Sequence, residues 1–216
     1  MSDSAITFLI GSWLFYFGLH SLLASLSFKK MIAELFPAVM PAYRLIFNII
    51  ALLLLFPPLG LIYLAQAEVE LLWQWQGIQA WIANGLALTA LLLFIRSLRY
   101  YDSSEFSGLR QLRNNIQAVE DQENFCLSPL HRFVRHPWYF LALVLIWTRE
   151  MDQATLISAI LISGYFVIGS RLEEQKLVIY HGKIYQRYQA RVPALFPLPW
   201  RYLKKNEVAE LLEKKP

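Results

Sequence analysis

The stretch WYFLALVLIWTREMDQATLISAILISGYFVIG, residues 138–169, decides the fold. It is apolar throughout except at a short polar break, where Arg149, Glu150, Asp152 and Gln153 fall together. A helix crosses a bilayer with about 17–25 apolar residues. The run is therefore too long for one span, and the break reads as the tip of a helical hairpin. The first leg, Pro137 to Thr148, is short for a full crossing and is expected to tilt or to cover part of the bilayer.

Three further apolar runs precede this hairpin: Ala5 to about Leu26, Leu45 to Ala65, and Ile78 to Ile95. Each has the length of a membrane helix. The 216 residues are 56% hydrophobic and only 17% charged, and mean hydropathy is +0.38. A soluble domain carries about 25% charged residues, so lipid is expected to cover much of this surface. The reading is an all-α integral membrane protein with about five transmembrane helices, a short helical hairpin at 137–170 and a cytoplasmic C-terminal cofactor-binding segment. Residues 1–100 form a three-helix membrane region and 101–216 the C-terminal region, within one structural domain. No Lys or Arg precedes the first run, and it has no clear small-residue cleavage site, so a retained helix is expected in place of a signal peptide. The single cysteine, Cys126, allows no intramolecular disulfide, and one thiol alone makes no zinc site; its expected state is a buried or idle thiol.

Basic residues alternate between loops. The first loop has Lys29, Lys30 and Arg44, while the second, QAEVELLWQWQG, has none. The third has Arg96, Arg99, Arg110, Arg113, Arg132 and Arg135; the hairpin tip has Arg149; the C-terminal segment holds the remainder. Lys and Arg are retained on the cytoplasmic side. The expected orientation in a bacterial inner membrane is N-terminus outside, C-terminus cytoplasmic. Trp73, Trp75 and Trp81 in or beside the second loop fit an interfacial aromatic belt. Ser128-Pro129 reads as an N-cap followed by a first-turn proline, and Pro137 marks a kink or a new helix start. The tail opens with a helical extension, broken near Gly182 and ended by Pro193, Pro197 and Pro199. KKNEVAELLEKKP, residues 204–216, reads as a short solvated helix.

Two polar segments carry candidate chemistry. In RHPWY, Arg135 is a permanent cation suited to a carboxylate or phosphate. His136 can donate or accept a hydrogen bond, and Trp138 and Tyr139 offer aromatic faces. The plainer alternative is an arginine snorkelling to headgroups beside an aromatic belt. In RLEEQKL, Glu173 and Glu174 stand near the cytoplasmic end of an apolar helix, where the helix dipole and the positive-inside bias both oppose them. One could bind a ligand ammonium while the other pairs with an arginine; both could equally form surface bridges with Arg171 or Lys176. Tyr185 and Tyr188, three apart, read either as part of a site or as simple packing. A cation, a carboxylate, an imidazole and several aromatics on one side of the membrane would suit a zwitterionic amino-acid end joined to an adenosine. They would also suit a phospholipid headgroup.

RHPWY followed by EEQKLVIYHGKIYQRYQARVPALFP, residues 173–197, resembles the isoprenylcysteine carboxyl methyltransferase-like family of integral membrane methyltransferases. The family pattern RHPxY, EExxL, Gly, two tyrosines three apart and VPxLxP falls here on Arg135, His136, Pro137, Tyr139, Glu173, Glu174, Leu177, Gly182, Tyr185, Tyr188, Val192, Pro193, Leu195 and Pro197. The resemblance covers roughly the C-terminal half. HSLLAS, YRLIFN and YDSSEFSGLRQL look like the bacterial branch containing methanethiol S-methyltransferases and NnrU-like proteins. Departures stand at Leu130 and His131, where the family often has a glycine and a tyrosine ahead of RHP, and at Leu141, where a small residue is usual.

The resemblance implies S-adenosylmethionine held between the hairpin and the C-terminal segment. It implies His136, Pro137, Tyr139, Glu173, Glu174, Tyr185 and Tyr188 as cofactor-binding residues, Arg135 and Glu174 as catalytic ones, and no metal. The expected partners are the bilayer and a small or lipophilic methyl acceptor, foremost a thiol, with no nucleic acid. Alternatives are a prenylcysteine or lipid acceptor, or an NADPH-dependent membrane reductase of related architecture. The reductase reading is opposed by His136-Pro137, since reductases carry a polar residue after that histidine. A non-enzyme alternative is a haem- or lipid-binding membrane protein, with His20 and His136 as axial ligands.

Overall fold

The computed structural model describes residues 1–65, 70–119 and 127–213. Cys126 lies outside the described residues. The chain divides into two compact units, each discontinuous in sequence. One comprises Met1–Gln74, Tyr101–Glu123 and Glu150–Leu161; the other comprises Trp75–Tyr100, Asn124–Arg149 and Ile162–Pro216.

The helices are α1 (Asp3–Ala24), α2 (Leu26–Leu35), α3 (Met40–Ala65), α4 (Gly77–Ser97), α5 (Ser103–Ser107), α6 (Leu109–Arg113), α7 (Pro137–Trp147), α8 (Gln153–Arg191) and α9 (Lys205–Glu213). Four helical stretches are long and apolar enough to cross a membrane: Asp3–Ala24, Pro37–Ala65, Gly77–Tyr100 and Gln153–Arg191, with Pro137–Trp147 as a shorter apolar helix. Among the described residues there is no strand, only two isolated bridges. Large apolar side chains stay exposed along the spans, such as Phe8 and Phe15 on α1, Leu53 and Phe56 on α3, and Ile82 and Leu92 on α4. A water-soluble helix buries such residues; here lipid is their solvent, and the protein is an all-α integral membrane protein.

In the first unit α1 packs on α3. Leu9 and Trp13 are buried, and the Trp13 indole donates to Ser158 Oγ at 2.9 Å. The hairpin tip is pinned to the chain before α4, because Leu72 N–H donates to the Met151 carbonyl at 2.8 Å and Met151 N–H to the Trp73 carbonyl at 3.3 Å. Asp152 then starts α8 by accepting from Thr155 N–H at 2.7 Å. Gly108, between α5 and α6, has φ +90, and a Cβ there would stand 2.6 Å from the Leu45 nitrogen. Only glycine allows that approach to α3.

The second unit contains α4, α7, most of α8, and α9. Ala83, Ala87 and Ala90 make a buried small-residue face on α4, which packs on α7. Small residues let membrane helices approach closely. The Trp138 indole donates to Ser97 Oγ at 2.7 Å, joining the two helices where the polar loop begins. α8 is apolar up to Gly169 and continues as a polar extension. At Gly182 the backbone leaves the helix (φ 55, ψ −132), so the break expected there is present. Beyond it Tyr185, Tyr188, Val192, Leu203 and Leu211 form a buried core.

Two local expectations differ from the structure. α2 is a separate helix in what read as a basic loop. Its LSFKKMIAEL sequence puts apolar and charged residues on opposite faces, which the two lysines obscure. α9 is not merely solvated: Leu211 is buried and Val208 packs beside it. The V-x-x-L spacing of three supplies that apolar stripe.

Candidate active site

Pro137 opens α7 with its ring at the first helical position, and His136 is the residue before it. Proline there fixes the entry angle and removes a donor that the helix start could not use. The preceding residues are held from the other side. Arg135 N–H donates to the Pro193 carbonyl at 2.9 Å and His136 N–H to the Ala194 carbonyl at 3.0 Å. The RHP and VPAL segments, 58 positions apart counting from Arg135 to Pro193, are thus paired through their backbones.

Side chains complete the pairing. Arg135 Nε donates to Glu174 Oε1 at 2.7 Å, and its terminal nitrogen donates to the carbonyls of Gln189 (3.0 Å) and Val192. These carbonyls lie at the C-terminal end of α8, where helix geometry leaves acceptors unmet. His136 Nε2 is 3.1 Å from the same Glu174 oxygen, and its Nδ1 is 3.3 Å from Glu173 Oε2. The Gln189 amide donates to the other oxygen of Glu174 at 2.9 Å, and the Tyr139 hydroxyl donates to Glu173 Oε2 at 3.1 Å. The His136 and Tyr139 rings stack at 5.3 Å, and Tyr139 stacks on Phe166 at 4.7 Å.

Electrostatics follow from this geometry. Burial alone would discharge His136, but hydrogen bonds to Glu173 and Glu174, and their charges, outweigh it and raise the imidazole to about 9. It is an imidazolium at neutral pH, donating from both nitrogens. His131 is the opposite case: burial, then the charge on His136, lower it to about 4. Its neutral Nδ1 accepts from Ser128 N–H at 3.2 Å, closing the cap expected at Ser128-Pro129.

The two glutamates are not equivalent. Glu174 is only 12% exposed and both its oxygens are engaged. Glu173 is 47% exposed and uses Oε2 for its contacts to His136 and Tyr139. The surface bridges to Arg171 or Lys176 considered for both are thus not what holds Glu174. The structure brings Arg135, His136, Tyr139, Glu173 and Glu174 into one cluster beside Pro137. Tyr185 and Tyr188 are each 1% exposed in the buried core beyond Gly182; Tyr185 lies against the cluster, within reach of Arg135 and of the Glu174 charge, while the Tyr188 hydroxyl donates to the His131 carbonyl at 2.6 Å.

Two members were not singled out from sequence. Phe166 is seven residues before Glu173, two turns along the same helix face, a spacing that could have revealed it. Gln189 meets Glu174 only because the chain turns at Gly182, and no spacing rule carries across such a break. Among the described residues no group of three His, Cys, Asp or Glu side chains could hold a metal ion. His20 lies in α1 against the rings of Tyr16 and Phe47, at 5.6 and 5.0 Å.

Fold and cluster together define an all-α membrane protein with a built polar site where α7 begins. Among proteins of known activity, the chain is 29% identical over 181 residues to methanethiol S-methyltransferase 2 of Bradyrhizobium diazoefficiens, covering 82% of this chain and 68% of that one. It is 29% identical over 198 residues to the methanethiol S-methyltransferase of Pseudomonas deceptionensis (82% and 67%), and 31% identical over 156 residues to that of Mycobacterium tuberculosis (65% and 64%). The resemblance to the bacterial methanethiol S-methyltransferase branch is borne out by these relatives. No family model matches the chain, and no solved structure does.

Proposed function

We propose that this protein is an S-adenosylmethionine-dependent membrane methyltransferase that methylates a small or lipophilic thiol. One observation carries the reading: the charge-balanced cluster of Arg135, His136, Glu173 and Glu174, with an aromatic shelf beside it. The related methanethiol S-methyltransferases supply the reaction class and the thiol. The residues fit the donor's chemistry. Glu173, half exposed, would take its ammonium group, and the Tyr139–Phe166 stack, backed by the His136 ring, would take its adenine. When bound, S-adenosylmethionine supplies a methyl group already activated on a sulfonium.

The chain's own part is alignment and charge. Arg135 spends its donors on Glu174 and on the last carbonyls of α8, so it is a positioning residue. Glu174, braced by Arg135 and Gln189, fixes the His136 ring. A thiol must lose its proton before it attacks, and a cation nearby lowers that cost; the site holds both the Arg135 guanidinium and the His136 imidazolium. Pro137 fixes the backbone on which these groups stand. Tyr185 flanks Arg135 and Glu174 from the C-terminal core that Tyr188 helps to hold. The alternation of basic loops supports an N-terminus outside a bacterial inner membrane and a C-terminus in the cytoplasm.

Calorimetry on purified protein in nanodiscs tests the donor. Glu173→Gln removes one charge-assisted contact worth about 1.5–3 kcal/mol, so affinity for S-adenosylmethionine is expected to fall by at least about tenfold with the melting temperature unchanged. Folded wild-type protein that takes up no S-adenosylmethionine overturns the reading.

A further inference from the structure

The turn after α8 exposes a cluster of large aromatic side chains. Phe196 is 58% exposed, Trp200 75% and Tyr202 42%, and Phe133, stacked on Tyr202 at 5.9 Å, is 43% exposed. Exposed apolar clusters of this kind mark a contact surface, and tryptophan and tyrosine favour the boundary between hydrocarbon and water.

This surface is presented rigidly. Arg201 N–H donates to the Leu198 carbonyl at 3.0 Å, which puts Pro199 and Trp200 at the tip of a tight turn. The Arg201 guanidinium donates to the carbonyls of Gln189 and Ala190, at 3.3 and 2.9 Å. Leu203 and Arg132 are joined twice: Leu203 N–H to the Arg132 carbonyl at 2.9 Å, and Arg132 Nε to the Leu203 carbonyl at 2.8 Å. The rim is basic. Lys204 and Lys205 are exposed, and the Arg132 guanidinium lies 5.4 Å from the Phe133 ring centre. Of the acidic groups nearby, Glu207 is engaged by Arg191 at 3.3 Å and by Lys204 N–H at 2.6 Å.

We propose that the turn at residues 196–202, with Phe133, seats in the interface of the bilayer and that its basic rim selects anionic lipid. The occupant is settled by three observations. α4 and α8 of the same unit are apolar spans, so a bilayer is present beside it. The Phe196 ring meets Phe140 of the apolar helix α7 edge-on at 6.4 Å, which makes the turn continuous with lipid-facing structure. The lysine and arginine rim complements negative headgroups. The consequence concerns the cluster. Pro193 and Ala194, just before the turn, accept from Arg135 and His136, so seating the turn in lipid fixes the cluster at headgroup depth. A lipophilic molecule could then reach it without crossing bulk water. The inference stands on surface chemistry alone and is independent of the methyltransferase reading.

Depth measurement by electron paramagnetic resonance tests it. A nitroxide is attached at Trp200→Cys in a Cys126→Ser background, since Cys126 is the chain's single cysteine. The full chain is placed in nanodiscs of phosphatidylcholine, with and without phosphatidylglycerol. Collision with oxygen is expected to exceed collision with an aqueous nickel chelate several-fold, and the excess to grow with phosphatidylglycerol. Phe196→Cys, labelled in the same way, gives a second reading at another point of the turn. Nickel accessibility like that of the free label in water, at both positions and in both lipids, overturns the proposal. Equal depth in the two lipids overturns the selection of anionic lipid.

Discussion

Glu173 and Glu174 are neighbours in the chain with opposite duties. Glu174 holds a guanidinium and an imidazolium that are both largely withdrawn from water. Removing it leaves the guanidinium without a counter-ion and the imidazolium with Glu173 alone, so Glu174→Ala is expected to cost about 3–5 kcal/mol of stability, seen as a lowered melting temperature in detergent. Glu173→Ala, at an exposed carboxylate, is expected to cost under about 1 kcal/mol. Equal losses in the two variants would contradict this division. The sequence marked both carboxylates as candidates, because acidic residues at the end of an apolar helix have few reasons to be there. It could not separate them, since which one turns inward depends on Arg135 and Gln189, which arrive from elsewhere in the chain. The tyrosine pair was ambiguous for a different reason: a spacing of three serves a site and a packed core equally well. The histidines set a pH profile. His136 is raised from 6.5 to about 9, so its stabilisation is complete below about 6.5 and is lost as pH rises through 9. His131 is lowered from 6.5 to about 4, so its contribution is present above 6.5 and is lost as pH falls through 4. Thermal stability is expected to peak near pH 6.5, with His136→Gln flattening the alkaline limb; an unchanged alkaline limb in that variant would remove the charged imidazolium from the account.

The element on which the site depends most is α8. Its first part is a membrane span, its middle carries the glutamates, and its end turns back through Gly182 to deliver Gln189 and the Val192–Ala194 carbonyls. Gly182 adopts a conformation that L-residues rarely take (φ 55, ψ −132), although the space around it is open. Gly182→Ala therefore acts through backbone strain, and a loss of about 1–3 kcal/mol is expected by thermal melting. A neutral result would mean that the break is not needed. The break was legible because a glycine interrupts an otherwise helical pattern ahead of three prolines. The hairpin tip was legible from its charges, and α7 begins at Pro137 as the proline required. The amphipathic α2 and the docked face of α9 were harder to see. Both are short, both carry lysines, and their apolar stripes acquire meaning only when a partner surface is known.

At the scale of the whole molecule, composition was the strongest guide. Too few charged residues for a soluble surface, and four apolar stretches of bilayer length, left an all-α membrane protein as the reading, and the helices fall where those stretches do. Orientation rests on loop charge alone. A reporter fused after Pro216 is expected to be active only in the cytoplasm, and periplasmic activity would reverse the topology. What the chain transforms is the larger question, and one assay bears on it most directly. Purified protein in nanodiscs is given S-adenosylmethionine labelled at its methyl group, together with methanethiol, a longer alkyl thiol, a fatty acid, a phospholipid or a prenylcysteine analogue. Label is expected in the thioether products of the thiols, and to be lost in His136→Ala. Label confined to the prenylcysteine or the phospholipid would overturn the thiol assignment, and no label in any acceptor, from folded protein, would overturn the proposed reaction.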